Sequence, residues 1–262
     1  LDWDDEAMGV AGLDRDRVFP LARAEAESPD LLAVWRRRWP ALSRARWFPA
    51  VGDGAASNLG SDCLGPDRMA LNVGTSAALR LVTEKSKPPP EGPSPYRVDA
   101  RRAVTGGATS EGGDLVAWLK STLVLPGDEE LERAIELAEP DSHGLTVLPF
   151  VAGERSLGWR DDRKATITGL SLHTTSLDLY RAGLESVSLR LAAIYERLAP
   201  LAASGHRVIA SGGALGKSAA WCRMLADAMG QPLAVFPEVE ATSRGAALLA
   251  LEALGEGPDL RQ

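Results

Sequence analysis

A chain of 262 residues, 45% of them hydrophobic, can bury one large core or two modest ones, and its formal charge of -7 with scattered lysines and arginines argues against nucleic acid as a partner. Cys63 and Cys222 are the only cysteines and form no Cys-x-x-Cys spacing, which argues against a disulfide framework or a zinc site and for a reducing cytoplasm. The longest apolar run, near Gly245 to Ala250, is far too short for a membrane span, and no basic leader precedes the first patterned segment, so a soluble protein is expected.

The chain opens Leu1-Asp2-Trp3-Asp4-Asp5-Glu6, without a Met, as if the numbering began inside a longer polypeptide. Two short helices are expected over Asp4 to Ala11 and Pro29 to Arg38, then a strand from Trp47 to Val51. Gly52-Asp53-Gly54 leads into a helix of small residues, Ala55 to Cys63, and the break at Gly65-Pro66-Asp67 marks a domain boundary. The stretch Met69 to Val82 then reads as two strands meeting at Gly74-Thr75-Ser76, and the rest of the chain is organised around it.

Lys85 to Pro95 is a proline-dense connector, followed by strands over Tyr96 to Asp99 and Arg101 to Thr105 that Gly106-Gly107 is expected to end. Gly112-Gly113 opens a helix, Asp114 to Leu123, with Leu115, Val116, Leu119 and Leu123 in helical spacing. A helix from Asp128 to Ala138, a buried strand from Leu145 to Phe150 and a short strand from Ala165 to Thr168 follow. The longest helix should run from Ser176, as N-cap, to Leu198. Beyond it come a strand at Arg207 to Ala210, the turn Ser211-Gly212-Gly213, and a helix from Ser218 to Met229 closed by Gly230. A strand at Leu233 to Phe236 and a helix from Ser243 to Leu254 end a pattern of alternating strands and helices, an α/β layer fold without internal repeats.

Gly74-Thr75-Ser76 combines a backbone that a ligand can approach with two hydroxyls, which suits a phosphate as well as it suits a plain tight turn. Asp53, between two glycines after an apolar run, is placed either as a general base for a hydroxyl or as the N-cap of the following helix. Gly106-Gly107 with Gly112-Gly113, and Ser211-Gly212-Gly213, each set glycines between a strand and a helix, where free N–H groups favour anions. Each alone is an ordinary loop; together with Gly74 they suggest a shared nucleotide cleft. Neither a P-loop nor a dinucleotide fingerprint is present. Glu154 with Arg155 reads as a surface ion pair, and His143, His173 and His206 share no ligand spacing and read as loop or surface residues, so no metal ligands are assigned.

The order of these motifs carries more than any one of them. Gly52-Asp53-Gly54 with Asn58-Leu59-Gly60 is followed by Asn72-Val73-Gly74-Thr75-Ser76, the paired glycines with Trp118-Leu119, and Leu148-Pro149-Phe150 with Gly153-Glu154-Arg155. Then come Gly169-Leu170 leading to Arg181-Ala182 and Glu185, Ser211-Gly212-Gly213-Ala214 with Leu225-Ala226-Asp227, and Ser243-Arg244-Gly245-Ala246-Ala247. This arrangement resembles the FGGY carbohydrate kinase family, nearest its gluconokinase branch. The resemblance implies an actin-like ATPase fold of two ribonuclease-H-like domains, with ATP, Mg2+ and a sugar in the cleft between them. On this chain it implies that residues 1–65 are the end of the sugar-binding domain and residues 66–262 the nucleotide-binding domain.

It further implies that Asp53 is the general base, with Gly52 and Gly54 beside the sugar, and that Gly74, Thr75 and Ser76 touch the ATP phosphates. Gly113 matches a backbone contact to the nucleotide, Gly212, Gly213 and Ala214 the adenosine turn, and Lys217 a polar neighbour of adenine. The segment from Ala165 to Glu185 fits the family's second signature, except that Gly183 replaces an expected larger or β-branched residue. Nothing matches the Asp-x-Gly-Thr turn with which the family's first domain begins, so this chain alone is expected to show little or no turnover. The substrate is expected to be a sugar or sugar acid, gluconate first and xylulose or glycerol otherwise. The competing reading is a non-catalytic remnant that binds nucleotide or self-associates; a homodimer through the face left by the missing part is expected.

Overall fold

The structure is a computed structural model that describes residues 2–23, 26, 30–84, 89–237 and 240–257. The opening segment carries α1 (Asp5–Ala11), capped by the Asp4 carboxylate, and α2 (Ala33–Arg38). The first residues expected in this second helix, from Pro29, lie partly outside the described residues. The expected strand at Trp47 to Val51 does not form; Trp47 makes only an isolated bridge. Next, α3 (Asp53–Gly60) runs into β1 (Arg68–Val73) and β2 (Ala77–Glu84), which pair antiparallel across the Gly74-Thr75-Ser76 turn.

Part of the Lys85 to Pro95 connector lies outside the described residues, and β3 (Ser94–Arg97) then pairs with β4 (Arg102–Thr109). Gly106 and Gly107 do not end this strand but lie inside it. They serve close packing: a β-carbon on Gly106 would come within 2.6 Å of Arg80 Cγ on β2, and one on Gly107 within 2.8 Å of Ile194 Cγ2. The glycines expected to make an anion turn therefore seat a neighbouring strand and a helix.

The helices α4 (Gly113–Thr122) and α5 (Asp128–Leu137) follow as expected. The expected buried strand from Leu145 to Phe150 shrinks to β5 (Thr146–Leu148), which pairs with β6 (Thr166–Thr168) in a mostly exposed two-stranded sheet. The long helix α6 (Ser176–Leu198) is capped by Thr175, not Ser176. Thr175 accepts the Asp178 N–H while the Asp178 carboxylate accepts the Thr175 N–H, a capping box that engages two otherwise free donors. β7 (Arg207–Ser211), α7 (Ala219–Met229), β8 (Leu233–Val235) and α8 (Ala241–Leu254) complete the chain, with Gly230 in the left-handed conformation after α7.

The main sheet has the order β3-β4-β2-β1-β7-β8, antiparallel on the β3 side and parallel from β1 through β8. Strand alternation divides its side chains between two cores. Met69, Leu71, Val73, Leu79 and Leu81 join α4 to α7 on one face, where Trp221, Leu184, Leu191 and Ile194 are fully buried. On the other face Val82 and Val104 join Ala55 and Leu59 of α3, and Ala70 and Ile209 join Cys63. On that second side α3 crosses α8 at backbone contact: a β-carbon on Gly60 would overlap the Ala241 carbonyl, and one on Gly245 the Ala56 carbonyl. No described helix is long and apolar enough to cross a membrane.

Candidate active site

Asp53 is the first residue of α3 and exposed, and Gly52 holds the cap position. Its carboxylate accepts the adjacent Gly54 N–H at 2.6 Å, so it does not cap the helix in the expected manner. Below it, Gly54 is buried, and the Tyr96 hydroxyl occupies the space that a β-carbon would need. The Arg80 guanidinium carbon lies 3.2 Å from the same position. Burial pushes the Tyr96 hydroxyl above its ordinary pKa, with the Arg80 charge opposing and the Asp53 charge adding to the shift. A polar cleft of about 170 Å³ is lined by Asp53 and Ser57 of α3, Asn72 and Arg80 of the sheet, Ser76 of the turn and Thr242 of α8.

The two glycine turns leave the sheet side by side, because Asn72 and Ser211 are partners in the parallel β1–β7 pair. Asn72 also donates to the Ser211 hydroxyl at 3.1 Å. Gly212, at φ +105°, lies so close to Val73 that a β-carbon would overlap the Val73 carbonyl, and the Ala214 N–H donates to that carbonyl at 3.2 Å. Gly113 closes the group: its N–H donates to the Gly74 carbonyl at 2.7 Å, and a β-carbon on it would lie 3.5 Å from Ala214. Gly74, Gly113, Gly212 and Ala214 are thus one contiguous cluster.

The donors in this cluster are unequally available. The N–H groups and hydroxyls of Thr75 and Ser76, and the Gly213 N–H, make no hydrogen bond among the described residues, and all three residues are exposed. The start of α4 is different. Gly112 and Leu115 donate to the Asp114 carboxylate at 2.8 and 2.6 Å, and Asp114 itself donates to the Thr75 carbonyl at 3.1 Å. With the Gly113 N–H also engaged, this helix start offers no free donor among the described residues. Lys217 is exposed one short turn beyond Ala214, away from the Asp53 cleft, where its charge adds to the Lys120 hydrogen bond in holding Asp128 below the usual carboxylate range.

A larger hollow of about 520 Å³ lies between β5, α6 and α7, but none of the residues singled out above as a ligand contact lines it. His143 lies in a turn, as a loop residue is expected to, but its side chain is only 3% exposed. Asp141, His143 and Glu185 stand close enough to hold an ion, yet the Glu185 oxygens already accept from Arg181 Nε at 2.8 Å and face His143 Nε2 at 3.0 Å. Glu154, read as a surface ion pair with Arg155, is instead buried and paired with Arg163 and Arg190. The residues that sequence reasoning missed in the cleft are Arg80, Asn72, Ser57 and Thr242, with Tyr96 packed behind it against Gly54. Strand alternation would have put Arg80 on the face of Ser76, whereas Tyr96 arrives through the pairing of β3 with β4, which no local signal announces.

Residues 69–254 match the model of the FGGY family of carbohydrate kinases, C-terminal domain. The chain belongs to the FGGY family. Among curated relatives, the gluconokinase of Bacillus subtilis (strain 168) is 26% identical over 98% of this chain and 52% of its own length. Two solved structures from Lactobacillus acidophilus share the fold. A ligand-bound xylulose kinase superposes with a TM-score of 0.88 at 24% identity, over 99% of this chain and 53% of the other. A gluconate kinase superposes with a TM-score of 0.87 at 24% identity, over 98% and 53%. These FGGY relatives bring the actin-like ATPase fold, and the chain spans about half the length of the curated relatives it matches.

Proposed function

We propose that this chain carries the nucleotide half and the catalytic base of an ATP-dependent carbohydrate kinase. The observation that carries the reading is that exposed Asp53 and the donor-bearing Ser76 line one cleft. In this reading Asp53 takes the proton of a sugar hydroxyl as that oxygen attacks the γ-phosphorus, and the bond from phosphorus to the ADP oxygen breaks. The free donors of Thr75, Ser76 and Gly213 hold the triphosphate, where positioning and charge stabilisation do most of the work. Gly212 and Ala214 shape the adenosine turn and Lys217 borders the base. Among the described residues Asp53 is the one carboxylate lining the cleft, which suits Mg2+, an ion that keeps its waters and arrives on the phosphates. There the ion would neutralise phosphate charge.

The substrate is a sugar or sugar acid, gluconate first by likeness to the Bacillus subtilis relative and xylulose as the nearest competitor. Residues 1–65 are proposed as the end of the sugar domain and 66–262 as the nucleotide domain, acting in the cytoplasm. Self-association as a homodimer is supported by exposed aromatics of the opening segment, where Trp35 and Trp39 stack at 5.3 Å. The test is ADP release across a sugar panel, run on the longest reading frame that contains this chain. Asp53→Asn should slow turnover about 10²- to 10⁴-fold. Undiminished turnover by Asp53→Asn would sink the reading, and nucleotide binding without turnover on any sugar would favour the non-catalytic remnant.

A further inference from the structure

Ser76, Ala78 and Arg80 alternate along the chain into β2, so they share one face of the sheet, and all three line the cleft beneath α3. Two glycines seat Arg80. Gly106 is its partner in register on β4 and leaves its flank bare, while Gly54 above lets the guanidinium lie against the start of α3. Here the guanidinium makes no hydrogen bond or ion pair among the described residues. A half-buried cation beside polar walls and without a partner is costly unless a ligand supplies the anion, and a planar guanidinium matches a carboxylate with two parallel bonds.

Position decides which oxyanion that is. Four strand residues at ~3.4 Å each put the Arg80 backbone about 14 Å from Ser76, and its guanidinium lies against Gly54, next to Asp53. A sugar acid bound beside Asp53 would bring its carboxylate to this cation, while the triphosphate is held at the turn. We propose that Arg80 binds the carboxylate of a linear sugar acid and thereby selects sugar acids over neutral sugars and polyols. The inference rests on the reading of this cleft as a sugar-kinase site.

Calorimetric titration of the 262-residue chain tests it. A non-hydrolysable ATP analogue is titrated first, then gluconate, the neutral polyol sorbitol and orthophosphate, each against the parent chain, Arg80→Gln and Arg80→Lys. Loss of a charge-assisted pair should weaken gluconate about 10- to 100-fold in Arg80→Gln and less in Arg80→Lys, with sorbitol and the analogue unchanged. Gluconate that binds both chains equally, or does not bind the parent, overturns the inference. Weakened orthophosphate or analogue with unchanged gluconate also overturns it and assigns Arg80 to the transferred phosphoryl group. Analogue binding that survives such a result leaves the kinase reading standing; absence of analogue binding takes both down.

Discussion

Two glycine corners touch each other in this protein and differ in what they leave free. At Gly74-Thr75-Ser76 the turn's hydroxyls and two of its N–H groups face outward without partners among the described residues. At Gly112-Gly113, 2.7 Å away through the Gly113 N–H bond to the Gly74 carbonyl, the carbonyls of the first corner and the Asp114 carboxylate engage every early donor of the helix. A helix start attracts anions only while its N–H groups are unsatisfied, so the more glycine-rich corner is the one closed to phosphate. The closed corner supports the open one, and substitutions on the two sides should separate support from binding.

The largest effect is expected where the corners meet. A β-carbon on Gly113 would stand 2.8 Å from the Gly74 carbonyl, and Gly113→Val must displace the turn. Denaturant unfolding should show a loss of about 3 kcal/mol, and titration a loss of nucleotide binding. Full affinity in this variant would show that the turn is not the phosphate site.

Next comes the closed corner alone. Asp114→Ala frees the Gly112 and Leu115 N–H groups and should cost about 1–2 kcal/mol by the same unfolding measurement, with nucleotide affinity retained. Tighter orthophosphate binding in this variant would sharpen the comparison, since it would mean that a carboxylate is what keeps phosphate out. On the open side the signs reverse. Ser76→Ala should leave stability within about 0.5 kcal/mol and weaken an ATP analogue about tenfold, because it removes a donor that the fold itself does not use. Equal affinity would place the phosphates elsewhere.

The smallest effect extends the comparison to α6, whose start is also closed by an aspartate. The Thr175 N–H bond to Asp178 is the main reason that its carboxyl lies below the usual carboxylate range. A lowered folded pKa gives stability that is present above the ordinary value near 4 and is lost as the pH falls through the folded one. Asp178→Asn should therefore cost about 0.5–1 kcal/mol at neutral pH, and melting curves should show the difference vanishing in acid. No difference at neutral pH would assign the cap to Thr175 alone, and one that persists in acid would show that the carboxylate charge is not what Asp178 contributes.

Legibility in the sequence followed the range of the forces involved. The β1–β2 hairpin, α4, α5 and α6 are found close to where periodicity puts them, since each buries an apolar stripe or face visible at short spacing. The strand expected at Trp47 to Val51 fails, because an apolar run becomes a strand only when a partner edge is available. Gly106 and Gly107 were legible as glycines but not as seats for Arg80 and Ile194, which arrive from residues far along the chain. Glu154 reads as a surface group and is buried against Arg190, 36 residues away, and the His143 side chain is covered beside Glu185, 42 residues away.

What the sequence by itself determined is the order of motifs, the family they spell, and the residue types that can meet a phosphate or accept a proton, because those are properties of side chains and short spacings. Only the tertiary structure decided which glycine turns keep free donors and which glycines pack on a neighbour, and that Arg80 shares a cleft with Asp53. The reason is that a donor is free, or a charge unpaired, only relative to everything packed around it.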